Sequence, residues 1–148
     1  MAIEYFEGNL LDSKENYIIH GCNCHGVMGG GVALAIKNKW PEVYKHYINF
    51  IESYGNSAIL LGKYDEVRIN DNQFVVNAFT QLNYGGTSRQ VSYDAVDKIF
   101  EEMAKKPTSL SFAIPQIGAG LANGNWDVIS AIINHRMKNH KIKCYIIR

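Results

Sequence analysis

No apolar run in this 148-residue chain approaches the ~18 residues that a membrane-spanning helix requires, which excludes a helical membrane protein. The opening MAIEYFEGNLL lacks the basic region and apolar stretch of a signal peptide, so export is not expected. Charge of one sign is missing as well: 15 basic and 14 acidic residues leave +1. That balance argues against nucleic-acid binding driven by bulk electrostatics, leaving only a local basic patch as a route to it. Three cysteines cannot all pair with one another, and without an export signal they read as reduced thiols in a cytoplasmic protein. Repeats, low-complexity tracts and linkers are absent too, so one domain is expected over residues 1–148. What remains is 47% hydrophobic and 20% charged, the composition of a soluble globular chain.

The apolar pattern alternates between strands and helices. Ile3 to Phe6 and Tyr17 to Ile19 read as strands, the second apolar enough to lie inside a sheet. Val32, Ala33, Ala35, Ile36 and Trp40 follow helical spacing up to Pro41, which suits the first turn of a new helix. Val43, Tyr44, Tyr47, Ile48, Ile51 and Tyr54 give that helix one apolar face, and Gly55 ends it. Ala58 to Tyr64 and Phe74 to Phe79 read as extended, with turn chemistry at Asn70-Asp71-Asn72. Leu82 to Gln90 reads as a loop. Ser92 caps a helix whose buried face is Ala95, Val96, Ile99, Phe100 and Met103, with Pro107 beyond its end. Ser109 to Ile114 is a strand, Asn125 caps a helix through Met137, and Ile142 to Ile147 closes the chain as a strand. The expected class is α/β, with about six strands between two helical layers.

Two glycine-rich segments each follow a strand and precede a helix, so they are expected at one rim of the sheet, where open α/β sheets bind ligands. The first is His20-Gly21-Cys22-Asn23-Cys24-His25-Gly26-Val27-Met28-Gly29-Gly30-Gly31-Val32-Ala33. Three glycines opening a helix let a ligand approach the main chain, and the helix N-terminus favours a phosphate. It is neither a G-x-G-x-x-G fingerprint nor a Walker loop. The second, Pro115-Gln116-Ile117-Gly118-Ala119-Gly120-Leu121, makes the same offer, and the pair suggests a clamped diphosphate. Asn23 fits either a ribose hydroxyl or a turn in which it holds its own backbone. His25 can move a proton near neutral pH. His20 reads as a hydrogen-bonded core histidine. Cys22, Cys24 and His25 have the wrong spacing for structural zinc, so no metal site is expected. A Cys–His nucleophile pair is disfavoured because adjacent side chains on an extended segment diverge.

With these loops in place the chain resembles a macro domain, the ADP-ribose-binding α/β module. It is most similar to the branch that includes ADP-ribose-1″-phosphate phosphatases. The matching stretches are Gly8-Asn9-Leu10-Leu11, HGCNCHGVMGGGVA at 20–33, NAFTQ at 77–81, Gly85-Gly86, IPQIGAGL at 114–121 with Trp126, and Cys144 to Ile147. The resemblance implies a three-layer α/β/α fold with a central mixed sheet. It places Asn9 and Leu10 at the adenine, with Asn9 standing where many members have aspartate, and Tyr145 beside it. It places Asn23 at the distal ribose, and Met28, Gly29, Gly30, Gly31, Val32 and Ala33 with Ile117, Gly118, Ala119, Gly120 and Leu121 around the diphosphate and distal ribose.

Members that strip ADP-ribose from DNA or from carboxylates often use a lysine after the strand equivalent to 75–79 and an aspartate in the second loop. Here those stretches read Phe79-Thr80-Gln81 and Leu121-Ala122-Asn123, with neither residue present. The expected activity is therefore hydrolysis of ADP-ribose 1″-phosphate to ADP-ribose and phosphate, by a monomer needing no cofactor. His25 moves the proton, Asn23 orients the ribose and Gln116 positions water. The alternatives are removal of ADP-ribose from protein or nucleic acid, the one way a nucleic acid enters as substrate, and non-catalytic sequestration of ADP-ribose-type signals.

Overall fold

The structure, a computed structural model, describes residues 2–55, 57–84 and 88–146. Six strands form one sheet: β1 (Ile3–Glu7), β2 (Tyr17–Cys22), β3 (Tyr64–Asn70), β4 (Gln73–Phe79), β5 (Ser111–Ile114) and β6 (Lys141–Ile146). Their order across the sheet is β1-β6-β5-β2-β4-β3. Every neighbouring pair is parallel except β3 with β4, so the sheet is mixed. Four helices cover it: α1 (Gly31–Lys39), α2 (Pro41–Tyr54), α3 (Tyr93–Met103) and α4 (Trp126–Arg136). Among the described residues no helix is long and apolar enough to cross a membrane.

The helix ends follow from their residues. Pro41 begins α2, and Gly55 closes it at φ 67° with its N–H on the Ile51 carbonyl. The Ser92 hydroxyl accepts from the Ala95 N–H at 3.1 Å, and the apolar stripe of α3 from Ala95 to Met103 is buried as its spacing requires. The Asn125 side chain accepts from the Asp127 N–H at 2.9 Å to start α4.

β2 is buried on both faces, the usual state of an inner parallel strand. Ile19 packs with Val76 and Phe112 against Val96, Ile99 and Phe100 of α3 and Ile129 and Ile133 of α4. Ile18 packs with Val75 and Ala113 against Ile36 of α1 and Val43 of α2. Two core layers thus lie on opposite faces of the sheet, giving the three-layer α/β/α arrangement.

The extended reading of Ala58 to Tyr64 is corrected. Ser57–Leu60 forms a 3₁₀ turn, and the strand starts only at Tyr64. Leu60 is drawn under α2, fully buried beside Tyr47 and Phe79. Gly62, at φ 89°, then reverses the chain into β3. The polar-looking run Tyr64-Asp65-Glu66-Val67 is the real strand, with Asp65 and Val67 turned inward. The strand expected from Ser109 begins at Ser111, because Pro107 and Leu110 form a turn with the Leu110 N–H on the Pro107 carbonyl. Of the Leu82–Gln90 loop, Gly85, Gly86 and Thr87 lie outside the described residues, as does Ile147 of the closing strand.

Phe112 sits at the centre of the larger core, unexposed and stacked on Tyr17 with ring centroids 5.3 Å apart. Truncation to alanine is expected to lower unfolding stability by about 3–5 kcal/mol, measurable as a shift of the urea midpoint at constant slope. A loss below about 1 kcal/mol would contradict this packing.

Candidate functional site

Because β2 runs between β4 and β5, the segments that follow all three strands leave the sheet at the same edge. Between them lies a cleft of about 650 Å³. One wall is the 20–33 segment, with Gly29, Gly30 and Gly31 leading into Val32 and Ala33 of α1. The opposite wall is the 115–122 segment, with Gln116, Ile117, Gly118, Gly120 and Leu121. Gln81 and Tyr84, after β4, complete the mouth. Among the described residues no Lys, Arg, Asp or Glu lines the cleft, so an anion held there meets main chain rather than side-chain charge. The first turn of α1 offers N–H groups without intrahelical partners. On the other wall, the N–H groups of Gly118, Gly120 and Leu121 have no backbone acceptor among the described residues.

The first loop is held by a buried amide. Asn23 is 6% exposed; its Oδ1 accepts from the N–H groups of His25 at 3.0 Å and Val27 at 3.3 Å, and its Nδ2 donates to the Val27 carbonyl at 2.6 Å. The Tyr47 hydroxyl of α2 lies 2.6 Å from the Asn23 carbonyl and 3.0 Å from Oδ1. The Tyr44 hydroxyl donates to the Gly26 carbonyl at 3.1 Å. Asn23 therefore holds its own turn while also lining the cleft. In the second loop, Gly118 has φ 76°, and a Cβ there would stand 2.6 Å from Val91 Cγ2. Gly21 presses equally close on its neighbour, with a Cβ meeting Thr80 Oγ1 at 2.6 Å.

Several residues expected at the site are not part of the cleft lining. His25 is exposed, its ring edge-on to Tyr84 at 6.5 Å, outside the cleft lining. Met28 is buried with Cys22, Tyr47 and Phe79, supporting the loop from beneath. Ala119 makes a turn bond to the Gln116 carbonyl rather than lining the wall. Asn9 caps the short Leu10–Asp12 turn by accepting from the Leu11 N–H at 3.0 Å, and Leu10 is buried in the second core. The Tyr145 hydroxyl donates to Glu15 Oε1 at 2.8 Å, and its ring faces Phe6. Asn9, Leu10 and Tyr145 thus form a neighbourhood separate from the cleft lining.

His20, Cys22, Gln81, Tyr84 and Ala122 line the cleft without having been singled out for it. Their signal was positional: each lies in the last residues of a strand or follows one at the sheet's C-terminal edge. His20 is 1% exposed, with Nε2 2.6 Å from Asn77 Oδ1. Burial lowers its pKa from 6.5 to about 4, against the smaller opposing effect of the Asn77 bond. All three cysteines are free and buried. Burial pushes the Cys22 thiol well above its ordinary range and the Cys24 thiol up to about 11, so both are neutral thiols at physiological pH. Among the described residues, no three His, Cys, Asp or Glu side chains gather as a metal site would require.

An α/β/α sandwich with paired glycine loops at the strand ends belongs to the class of open-sheet proteins whose ligand crevice lies outside the carboxyl ends of the strands. More narrowly, the chain belongs to the macro domain family, whose model matches residues 19–133. It is 35% identical over 92 residues to the ADP-ribose 1″-phosphate phosphatase of Saccharomyces cerevisiae, covering 58% of this chain and 49% of that protein. It is 26% identical over 130 residues to the DNA ADP-ribosyl glycohydrolase of Mycobacterium tuberculosis, covering 84% of this chain and 36% of that one. The chain thus spans half or less of the length of these two relatives. A solved Bacteroides thetaiotaomicron protein of unknown function superposes with TM-score 0.86 at 28% identity, over 98% of both chains.

Two outcomes follow from the geometry. Gly118→Ala forces a side chain into positive φ against Val91, which should cost about 1–3 kcal/mol of stability in thermal or urea unfolding. The unfolded chain protonates His20 below about pH 6.5 and the folded chain only below about 4, so added protons favour unfolding between those values. Stability should fall by up to about 3 kcal/mol as pH drops through that window, and His20→Asn should flatten the slope. An unchanged slope in His20→Asn would place the histidine proton elsewhere.

Proposed function

We propose that the cleft binds ADP-ribose and that the protein hydrolyses ADP-ribose 1″-phosphate to ADP-ribose and phosphate. The observation that carries this reading is the uncharged cleft walled by two opposed sets of main-chain N–H groups, which suits a diphosphate held between them. Kinship with proteins named ADP-ribose 1″-phosphate phosphatase supports the same choice. So do the stretches Phe79-Thr80-Gln81 and Leu121-Ala122-Asn123, which hold neither the lysine nor the aspartate of the glycohydrolase type, and whose Gln81 and Ala122 line the cleft.

In this reading the diphosphate is the handle, and binding energy from it positions the terminal phosphate for attack. Gln116 and Asn23 line the wall where they can orient water and the distal ribose. Water oxygen bonds to phosphorus while the bond from phosphorus to the ribose 1″-oxygen breaks. His25, at the mouth against Tyr84, supplies the proton that the leaving ribose oxygen takes, and the water proton passes to solvent. Main-chain N–H groups stabilise charge on the transferring group.

One observation favours a second reading, release of ADP-ribose from a modified nucleic acid or protein. The lining offers no side-chain cation to a terminal phosphate dianion, and relatives named DNA ADP-ribosyl glycohydrolase span most of this chain.

The deciding measurement is phosphate release from ADP-ribose 1″-phosphate, with chelator present and an unrelated phosphomonoester as control. Release from the ADP-ribose compound alone, lowered about 10²–10⁴-fold in His25→Ala with ADP-ribose affinity retained, is the expected result. ADP-ribose binding with no phosphate release, and free ADP-ribose appearing from a modified macromolecule, would replace the first reading with the second.

A further inference from the structure

A buried hydrogen-bonded string joins the surface of α2 to the floor of the cleft. His46 Nδ1 lies 2.8 Å from Asp65 Oδ1 and 3.0 Å from Oδ2. Asn77 Nδ2 donates to Asp65 Oδ2 at 3.3 Å and stands 3.5 Å from the Val43 carbonyl. Asn77 Oδ1 lies 2.6 Å from His20 Nε2. Asp65 is 3% exposed, Asn77 wholly buried and His20 1% exposed, so water does not compete for these groups.

The string has a direction. An ionised carboxylate only accepts, and so does a carbonyl, so the Asn77 amide must turn its NH₂ toward Asp65 and Val43. Its oxygen then faces His20, and an oxygen there requires the proton on Nε2. The lone pair is left on Nδ1. The Cys22 thiol, a weak donor, lies 3.8 Å from that nitrogen and 3.5 Å from Nε2. Both His20 and Cys22 line the cleft. Burial keeps the imidazole neutral down to about pH 4, so the lone pair persists at physiological pH. A neutral nitrogen lone pair repels a phosphate oxygen and accepts an O–H.

We propose that His20 reads the ligand at the cleft floor by accepting a sugar hydroxyl on Nδ1, and that Asn77 and Asp65 are the positioning residues that keep the lone pair there. This rests on the ADP-ribose reading for the identity of the sugar. It divides the cleft chemically: main-chain donors for the phosphates and one fixed side-chain acceptor for a hydroxyl. It also gives Asp65, an inward-facing carboxylate on an edge strand, a task beyond its pairing with His46.

The test is long-range ¹⁵N–¹H NMR of the His20 ring in the intact protein at pH 7, with ADP-ribose and ADP binding measured in parallel by calorimetry. The free protein should show the Nε2–H tautomer. ADP-ribose should shift the Nδ1 resonance upfield, as hydrogen-bond acceptance requires, and ADP, which lacks the distal sugar, should not. Asp65→Asn, which leaves only the 3.5 Å contact to the Val43 carbonyl to turn Asn77, should give mixed tautomers and weaken ADP-ribose about 2–10-fold with ADP affinity unchanged. An Nδ1–H tautomer in the free wild-type protein would overturn the positioning roles. Bound ADP-ribose with an unmoved Nδ1, or equal shifts from ADP and ADP-ribose, would overturn the role of His20. Failure of wild-type protein to bind ADP-ribose would instead overturn the preceding functional reading, while the tautomer still decides for or against Asn77 and Asp65.

Discussion

Parallel pairing of β2 with β4 on one side and β5 on the other is the constraint on which the rest depends. Parallel strands end at the same edge, so whatever follows each of the three emerges together. Without that pairing, His20 to Ala33, Gln81 to Tyr84 and Pro115 to Ala122 are three unrelated loops. With it they share one cleft. The double burial of Ile18 and Ile19 holds β2 at the centre and lets its end carry a pocket.

A second layer of organisation comes from α2, which touches the cleft only through other groups. Its Tyr47 and Tyr44 hydroxyls hold the carbonyls of Asn23 and Gly26, and its His46 pairs with Asp65. One helix thus secures the turn of the first loop and the outer end of the buried string. Within the dry interior these bonds are individually modest, but leaving any partner unpaired is expensive, so they specify one arrangement. The loop is glycine-rich yet geometrically determined, because its carbonyls and amides have assigned partners rather than because glycine is rigid.

The cleft itself is chemically spare. Its walls supply main-chain donors, apolar contact and a few neutral side chains, and its one lining thiol among the described residues, Cys22, is too buried to ionise readily. A site of this kind binds by shape and oriented dipoles. Closely similar clefts within one fold can therefore host different reactions.

The caps at Ser92 and Asn125, the stripe of α3 and the two glycine loops were legible in the chain because each depends on residues close together in sequence. The macro domain fold was legible through the resemblance of the 20–33 and 114–121 motifs to that family. The Ala58–Tyr64 stretch misled because apolar residues state that they are buried, not how; Leu60 found its burial beneath α2 rather than in the sheet. The inward Asp65 hid the true strand, since its partners His46 and Asn77 are brought to it only by folding. For the same reason the sequence named His25 as the proton carrier and His20 as a core residue without showing which ring meets the cleft. Each precedes a glycine, but the pleat and the turn held by Asn23 send one ring to the surface and the other under the cleft. Local backbone chemistry was determined by the sequence alone. Which side chains meet across the sheet was decided by tertiary structure, because strand register and helix docking set those distances.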